Sequence, residues 1–217
     1  MRDEWIRWEW IGENWSDDIV PALREHVTLT LAAVLLGLLV SLPLGVLASR
    51  YRRLLGPVLT TTGVIYTIPA LAAFGLLGPV TGYLTFSTAV IPLAAYTLLI
   101  LVRNVVTGLD DVPEDAKEAA IGMGYGPWRR LFRVELPLAL PAILAGVRIA
   151  TVSTIALVTV AFLIGRGGLG QLILDGLRRD FRTPVVVGSV LSVALAILAD
   201  LTLVGLQRLA TPWARAR

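Results

Sequence analysis

The stretch Glu118-Ala119-Ala120-Ile121-Gly122-Met123-Gly124 separates two long apolar segments near the middle of a 217-residue chain. The whole chain is 56% hydrophobic, with a mean hydropathy of +0.76, whereas soluble domains contain about 45–50% apolar residues. In such a chain, apolar surface is expected to face lipid rather than a single buried core. The sequence therefore predicts a one-domain membrane protein whose polar central loop lies in water.

Five apolar segments are long enough to cross a bilayer, at about 20 residues per crossing. The predicted fold class is all-α, an integral membrane protein with five transmembrane helices at 27–49, 57–79, 83–106, 138–164 and 184–207. Around these helices, the chain divides into an N-terminal interfacial segment (1–26), a transmembrane domain (27–207) containing the loop 107–137, and a cytosolic tail (208–217).

The basic residues indicate which helix ends face the cytosol. They stand in short groups between apolar segments, which favours cytosolic membrane loops over nucleic-acid binding. Cytosolic loops carry the larger share of basic residues, and that share falls on the cytosolic side only if the N-terminus lies outside. We therefore expect a multi-pass plasma-membrane protein with a cytosolic C-terminus. The cytosolic set is Arg50, Arg52, Arg53, Arg103, Lys117, Arg129, Arg130, Arg133, Arg208, Arg215 and Arg217, and the outer set is Arg2, Arg7, Arg24, Arg166, Arg178, Arg179 and Arg182.

The N-terminal segment is rich in aromatic residues. Trp5, Trp8, Ile11, Trp15 and Ile19 recur at near-helical spacing, with acidic residues on the other side. This pattern predicts an amphipathic helix in the membrane interface, where Trp buries its ring and keeps its N–H wet. The alternative is an aromatic cage for a cationic ligand.

Several kinds of active site are not expected. The chain has no Cys, which excludes disulfides and thiol chemistry, and its one histidine, His26, lacks neighbours that would complete a metal site. Gly165, Gly167 and Gly170 match G-x-G-x-x-G, but they follow a long apolar segment instead of a strand. We expect them to form a flexible turn into a short outer helix at 169–180.

The central loop predicts two short helices. Asp111 is expected to cap the first, with Pro113, Glu114 and Asp115 near its opening turn, where the backbone N–H groups are unpaired. The glycines after Ile121 end that helix, and Pro127 begins a second, basic one.

The same loop resembles the EAA motif of binding-protein-dependent ABC importer permeases. Glu118-Ala119-Ala120 is followed after three residues by Gly124, after nine more by Val134 and after one more by Leu136-Pro137. Small residues allow a partner to approach the backbone closely, and a Glu offers it a charge. The resemblance implies a coupling helix seated on an ATPase, with coupling residues Glu118, Ala119, Ala120, Gly122, Met123, Gly124, Leu136 and Pro137; an ordinary amphipathic surface loop is the alternative.

The resemblance also implies a fold and a set of partners. The fold would be that of the type I importer (MetI-like) permeases, with a pathway between this chain and a second permease subunit, identical or homologous. Two ATPase subunits and an extracellular substrate-binding protein would complete the transporter. The chain has no Walker A motif, so it is not expected to be an enzyme or to bind a cofactor itself, and ATP and Mg²⁺ would lie on the ATPase.

Three further stretches look like permeases for glycine betaine, choline, carnitine and related osmoprotectants. They are Tyr66-Thr67-Ile68-Pro69-Ala70-Leu71, then Arg103-Asn104 with Thr107-Gly108-Leu109, and Ala161-Phe162-Leu163-Ile164-Gly165-Arg166-Gly167-Gly168-Leu169-Gly170. Two alternatives stay open: a permease for another small solute, such as an amino acid, and a membrane scaffold subunit without a pathway.

Two ionisable residues fall inside predicted transmembrane helices, where a charge needs a partner or a function. Arg148 and Asp200 lie at similar depths from the cytosolic ends of their helices. We hypothesise an ion pair between them; the alternative is that each reaches water separately.

The aromatic residues Tyr66, Tyr96 and Phe162 could contact a quaternary ammonium ion through cation–π interactions. Helix packing is the alternative, and nothing in their spacing distinguishes the two. The substrate-binding residues are left unassigned.

Overall fold

The structure is a computed structural model that describes residues 6–215, so the predictions made for Arg2, Trp5 and Arg217 lie outside the described residues. Within that range the secondary structure is entirely helical, as predicted. The α-helices are α1 (Trp8–Glu13), α2 (Val20–Arg50), α3 (Arg52–Thr67), α4 (Ala70–Thr81), α5 (Phe86–Asp110), α6 (Glu114–Gly122), α7 (Pro127–Arg130), α8 (Leu136–Val160), α9 (Leu169–Arg178) and α10 (Arg182–Ala210). Short π-helical turns at Trp15–Ile19 and Leu131–Glu135 lead into α2 and α8, and 3₁₀ turns follow α8 and α10 at Ala161–Ile164 and Pro212–Arg215.

Four helical segments of the described chain are long and apolar enough to cross a membrane: Trp15–Arg50, Phe86–Asp110, Pro127–Ile164 and Arg182–Ala210. A fifth crossing exists only if α3 and α4 count together as one, and these two helices meet at an angle of 95°. The segment predicted as one helix at 57–79 is therefore broken in two.

The break between α3 and α4 lies at Ile68-Pro69. The residue before a proline is disfavoured in the helical region, and Ile68 adopts an extended conformation with φ −65° and ψ 127°. The hydroxyl of Tyr96 on α5 donates a hydrogen bond to the Ile68 carbonyl at 2.6 Å, and the ring of Tyr66 packs edge-on against Tyr96. The bend is thus held by a side chain from another helix.

The centre of the bundle is formed by α2, α5 and α8. Its largest buried cluster includes Leu29 and Ala33 of α2, Leu93 of α5 and Val158 of α8. Small residues set the spacing: a Cβ added to Gly37 on α2 would lie 1.8 Å from the Thr97 hydroxyl on α5. Since lipid provides no hydrophobic force between helices, such close backbone contact is what holds them together. α10 lies outside this centre and packs on α8 and α9.

The N-terminal helix α1 is docked on the beginning of α10. The backbone N–H of Arg7 donates to the Thr183 hydroxyl at 3.0 Å, the Arg7 guanidinium lies over the Phe181 ring, and Trp10 meets Phe181 edge-on. The Trp8 side chain is largely exposed. Because α2 already begins at Val20, the boundary predicted at residues 26 and 27 falls inside a continuous helix.

The glycine-rich segment joins α8 to α9 and is tightly packed. Gly165 and Gly168 have φ of +68° and +51°, backbone conformations that side-chain-bearing residues rarely adopt. A Cβ on Gly170 would lie 2.1 Å from the backbone carbonyl oxygen of Thr159. The helix expected at 169–180 is present as α9, whereas the turn before it is shaped by packing and not by flexibility.

We predict that Gly170→Ala strongly lowers the yield of folded protein, because the obstructing Thr159 carbonyl belongs to the backbone and cannot rotate away. Gly205→Ala is the matched control, since a Cβ there meets nothing within 4 Å. Fluorescence-detected size-exclusion chromatography of the two variants checks this. Equal monodisperse yields would show that the α8–α9 contact is not tight.

Candidate functional site

The central loop leaves the bundle at the end of α5 and begins α6 at Glu114. Pro113, with ψ 135°, precedes the first helical residue, and Glu114 and Asp115 occupy the first turn, where carboxylates are favoured. The prediction that Asp111 caps this helix is wrong: Asp111 ends α5 with a helical φ of −76°, two residues too early.

The far end of α6 closes in a Schellman motif. The N–H of Tyr125 donates to the Ala120 carbonyl at 3.0 Å, and the N–H of Gly124 donates to the Ile121 carbonyl at 2.8 Å. Gly124 takes a left-handed φ of +76°, which glycine adopts at little cost. The glycine four residues after Ala120 is therefore required by the geometry of the helix end.

The second half of the loop is continuous with a transmembrane helix. α7, the π-helical turn at Leu131–Glu135 and α8 form one helical segment, Pro127–Ile164. Pro137 lacks a backbone N–H, so it cannot make an ordinary helical bond, and proline is one of the causes of such local irregularities. α7 and α8 therefore belong to one helical segment, with the irregular turn between them.

Apolar side chains anchor the loop to the bundle. Val112 and Leu131 are buried in a cluster with Leu109 of α5 and Ala139 and Ile143 of α8. The loop is therefore held at a defined height against the ends of α5 and α8.

A group of charged residues braces the loop against the neighbouring turn. Asp110 accepts hydrogen bonds from the Ser49 hydroxyl at 3.0 Å and from Nη1 of Arg52 at 2.8 Å. Arg130 Nε donates to Oε1 of Glu135 at 2.5 Å. With Lys117, which pairs with Glu114 at 3.1 Å, these side chains line a cavity of about 270 Å³ between the α2–α3 corner and the loop; its lining residues are Val46, Ser49, Arg50, Arg52, Leu109, Asp110, Lys117, Arg130, Leu131 and Glu135.

The structure divides the predicted coupling residues into two groups. One group is exposed to solvent, along α6 and at its C-terminal end, and consists of Glu118, Ala119, Gly122, Met123 and Gly124. The other is not: Ala120 is fully buried, and Leu136 and Pro137 are half-buried at the beginning of α8. The exposed group is available to a partner, whereas the second group fixes the loop to the bundle.

Three large apolar side chains extend this exposed surface and were not among the predicted site residues. Ile121 is exposed, Trp128 is 66% exposed, and the Trp128 ring stacks on that of Phe132 at 6.3 Å. The i, i+4 spacing of Trp128 and Phe132 on a basic helix could have indicated that these two share a face. These side chains add apolar area to the exposed part of the loop.

A second polar site lies within the membrane-spanning part. The structure brings Arg148 of α8 and Asp200 of α10 together: Nε of Arg148 donates to Oδ1 at 3.0 Å and Nη2 donates to Oδ2 at 3.1 Å. Their side chains remain 31% and 36% exposed. They line an open groove of about 670 Å³ whose other walls are Ala145, Ile149, Val152, Ser153, Ala196, Ile197 and Leu201.

The other side chains considered in the sequence analysis pack against neighbouring parts of the chain. His26 is fully buried inside the bundle, with Nε2 3.0 Å from the carbonyl oxygen of Ile155. Tyr66 and Tyr96 hold the bend between α3 and α4. Phe162 supports the glycine-rich turn, where a Cβ on Gly167 would meet its backbone at 2.5 Å.

Residues 25–211 match the family model for the "Binding-protein-dependent transport system inner membrane component". Over 192 residues, the chain is 38% identical to the osmoprotectant import permease protein OsmW of Salmonella typhimurium, covering 87% of this chain and 89% of that protein. Over 206 residues, it is 38% identical to the glycine betaine/carnitine/choline transport system permease protein OpuCD of Bacillus subtilis, covering 93% and 90%.

Solved structures show the same fold. A chain of the MetNI methionine ABC transporter, in an inward-facing conformation, superposes with a TM-score of 0.78 at 23% identity, covering 89% of this chain and 96% of that chain. At that level of identity the likeness concerns the fold, and it confirms the MetI-like architecture expected from the sequence.

We predict that Gly124→Ala loosens the end of α6, because a left-handed residue with a side chain costs about 1–2 kcal/mol and a Cβ at this position meets nothing within 4 Å. Amide exchange in the loop should rise about 5- to 30-fold. Gly126→Ala, whose φ is −67° and whose Cβ is also uncrowded, is the control. Hydrogen-exchange mass spectrometry measures both; equal exchange in the two variants would contradict the Schellman assignment.

Proposed function

Because the chain belongs to the family of binding-protein-dependent transport system inner membrane components, we propose that it is the permease subunit of an ATP-driven importer for osmoprotectants such as glycine betaine, choline or carnitine. The observation that carries this proposal is the extent of similarity to permeases with those names, over 87–93% of the chain. The protein itself is a multi-pass membrane protein.

The exposed surface of α6 and α7 is the proposed contact with an ATPase. It offers the carboxylate of Glu118 beside the open backbone of Gly122 and Gly124 and the apolar side chains of Met123 and Trp128. A partner groove can approach the backbone there, and a basic partner side chain can pair with Glu118. ATP and Mg²⁺ would be bound by that partner, and no cofactor by this chain.

The proposed mechanism is alternating access. The partner ATPases would approach one another on binding ATP and carry α7 with them. Since α7 and α8 belong to one continuous helical segment, that movement would reach Arg148, about 31 Å along the helix from Pro127. The groove beside Arg148 would thereby open to alternate sides of the membrane.

The proposed assembly has two permease subunits, identical or homologous, two ATPases and an extracellular binding protein. The end of the bundle that carries Arg50, Arg52, Lys117 and Arg130 would face the cytosol, following the positive-inside rule. The opposite end, where Arg166 pairs with Glu25 at 3.3 Å and bonds the Leu84 carbonyl at 2.8 Å, would receive the binding protein. The N-terminus would then be outside and the C-terminus in the cytosol.

Uptake of radiolabelled glycine betaine, choline and carnitine tests the substrate class. The chain is expressed with its ATPase and binding protein in a host that lacks osmoprotectant uptake, and a strain without the chain is the control. We expect ATP-dependent accumulation of at least one of the three solutes. Accumulation of an amino acid instead, or of no solute at all, would refute the proposal.

We predict that Glu118→Lys reduces uptake at least about tenfold, because the variant places a positive charge where the partner is proposed to be basic. ATP hydrolysis should continue without transport, and the helices should stay inserted. Glu13→Lys reverses another exposed carboxylate, on the N-terminal helix, and should leave uptake unchanged. Coupled uptake at the wild-type rate in Glu118→Lys would count against the docking surface.

A further inference from the structure

The ion pair between Arg148 and Asp200 lies far from both ends of its helices. Arg148 is 12 residues beyond the first residue of α8 and Asp200 is 10 residues before the last residue of α10, or about 18 Å and 15 Å along the helix axes. A hydrocarbon core is about 30 Å thick. Both charged groups are therefore close to the middle of the membrane.

This pair is only partly covered by the chain itself. About a third of each side chain is exposed, into a groove between α8 and α10. Charges at that depth are costly against lipid and are found facing a bundle interior or a water-filled cavity. The groove face of α8 and α10 is therefore turned away from lipid.

The geometry of the pair leaves hydrogen-bonding groups free on both partners. Nε and Nη2 of Arg148 bind Asp200, and a guanidinium group has five N–H donors. The two N–H groups of Nη1 have no partner among residues 6–215. The Asp200 carboxylate, 36% exposed, likewise keeps acceptor capacity on its groove side.

We propose that this groove is a binding site for a zwitterionic solute within the membrane, with Nη1 of Arg148 as donor to the solute's carboxylate and Asp200 as the counter-ion of its onium group. This inference rests on the proposed function and assigns it a site. A quaternary onium group has methyl groups and no N–H, so it is matched by an anion and apolar walls. Ile149, Val152, Ile197 and Leu201 supply those walls.

The site distinguishes between solutes. Glycine betaine and carnitine carry both charges and engage both members of the pair. Choline has no carboxylate and engages Asp200 alone. Loss of the Arg148 donor is therefore expected to weaken transport of the zwitterions more than that of choline.

The absence of cysteine from the chain allows a direct test of whether the groove is aqueous. Ala145→Cys places one thiol in the groove, and Leu39→Cys places one on α2, where the side chain is 73% exposed at a similar depth, about 16 Å from the end of the helix. Thiolates, which react with charged methanethiosulfonates, form in water and not in lipid. We expect Ala145→Cys to be labelled in the assembled transporter, to be protected by glycine betaine, and to react at least tenfold faster than Leu39→Cys.

A charge-swapped variant separates solute binding from a structural role. Arg148→Asp combined with Asp200→Arg can restore the ion pair and the folded protein, but it moves the free donor to the other helix. We expect the swap to recover the folded yield that each single change loses, while the KM values for glycine betaine and for choline both rise at least about tenfold, because the donor and the counter-ion have changed helices. Wild-type KM values in the swapped variant would show a bracing role only and would overturn the inference.

The two proposals fail in different ways. If the transporter with the wild-type chain takes up none of the osmoprotectants, the proposed function is refuted. If uptake is present but Ala145→Cys is not labelled, or is labelled at a rate that glycine betaine does not slow, the groove is not the binding site. The proposed importer function is unaffected by that result.

Discussion

The interior of a bilayer offers no water to the N–H and C=O groups of a peptide backbone, and this constraint shapes the whole chain. The long apolar segments among residues 6–215 are helical because a helix satisfies its own backbone. Lipid also removes the hydrophobic force that would hold helices together. The bundle of α2, α5 and α8 therefore depends on close contact at small residues, such as Gly37 against Thr97.

The same constraint explains what surrounds the breaks in the helices. At Ile68-Pro69 the chain turns sharply, and the Tyr96 hydroxyl supplies a hydrogen bond to the backbone. In the glycine-rich turn, Glu25 accepts from the N–H of Gly168 at 3.3 Å and pairs with Arg166. Both irregular stretches lie in segments that resemble osmoprotectant permeases. At both stretches a side chain from a remote part of the chain satisfies a backbone group that the broken helix leaves unpaired.

The central loop combines an exposed surface with buried contacts to the membrane helices. Ala120, Val112 and Leu131 anchor it, and the Schellman motif at Gly124 turns the chain so that Pro127 can begin a helix continuous with α8. The second half of the loop and Arg148 thus lie on one continuous helical segment, Pro127–Ile164. In an importer, this continuity would connect the site where ATP energy enters the chain to the site where the solute passes.

Much of this protein was predictable from local sequence. Hydropathy over about 20 residues locates the helices, and the positions of Gly124 and Pro127 predict where α6 ends and α7 begins. The spacing from Glu118 to Pro137 indicated the family, which the comparisons confirm. Equal depths for Arg148 and Asp200 suggested a pair, because depth follows from counting residues along a helix.

Other features were decided only by contacts between distant segments. The sequence showed a proline at residue 69 but not a 95° bend, since that depends on Tyr96 meeting Ile68 across two helices. It suggested flexibility at Gly165–Gly170, where packing on Thr159 and Glu25 imposes order. It did not separate the exposed residue Glu118 from the buried Ala120, or show that the Arg148–Asp200 pair opens into a groove. Hydrogen bonding within a helix is local and can be read along the chain, whereas burial and close approach depend on which helices become neighbours.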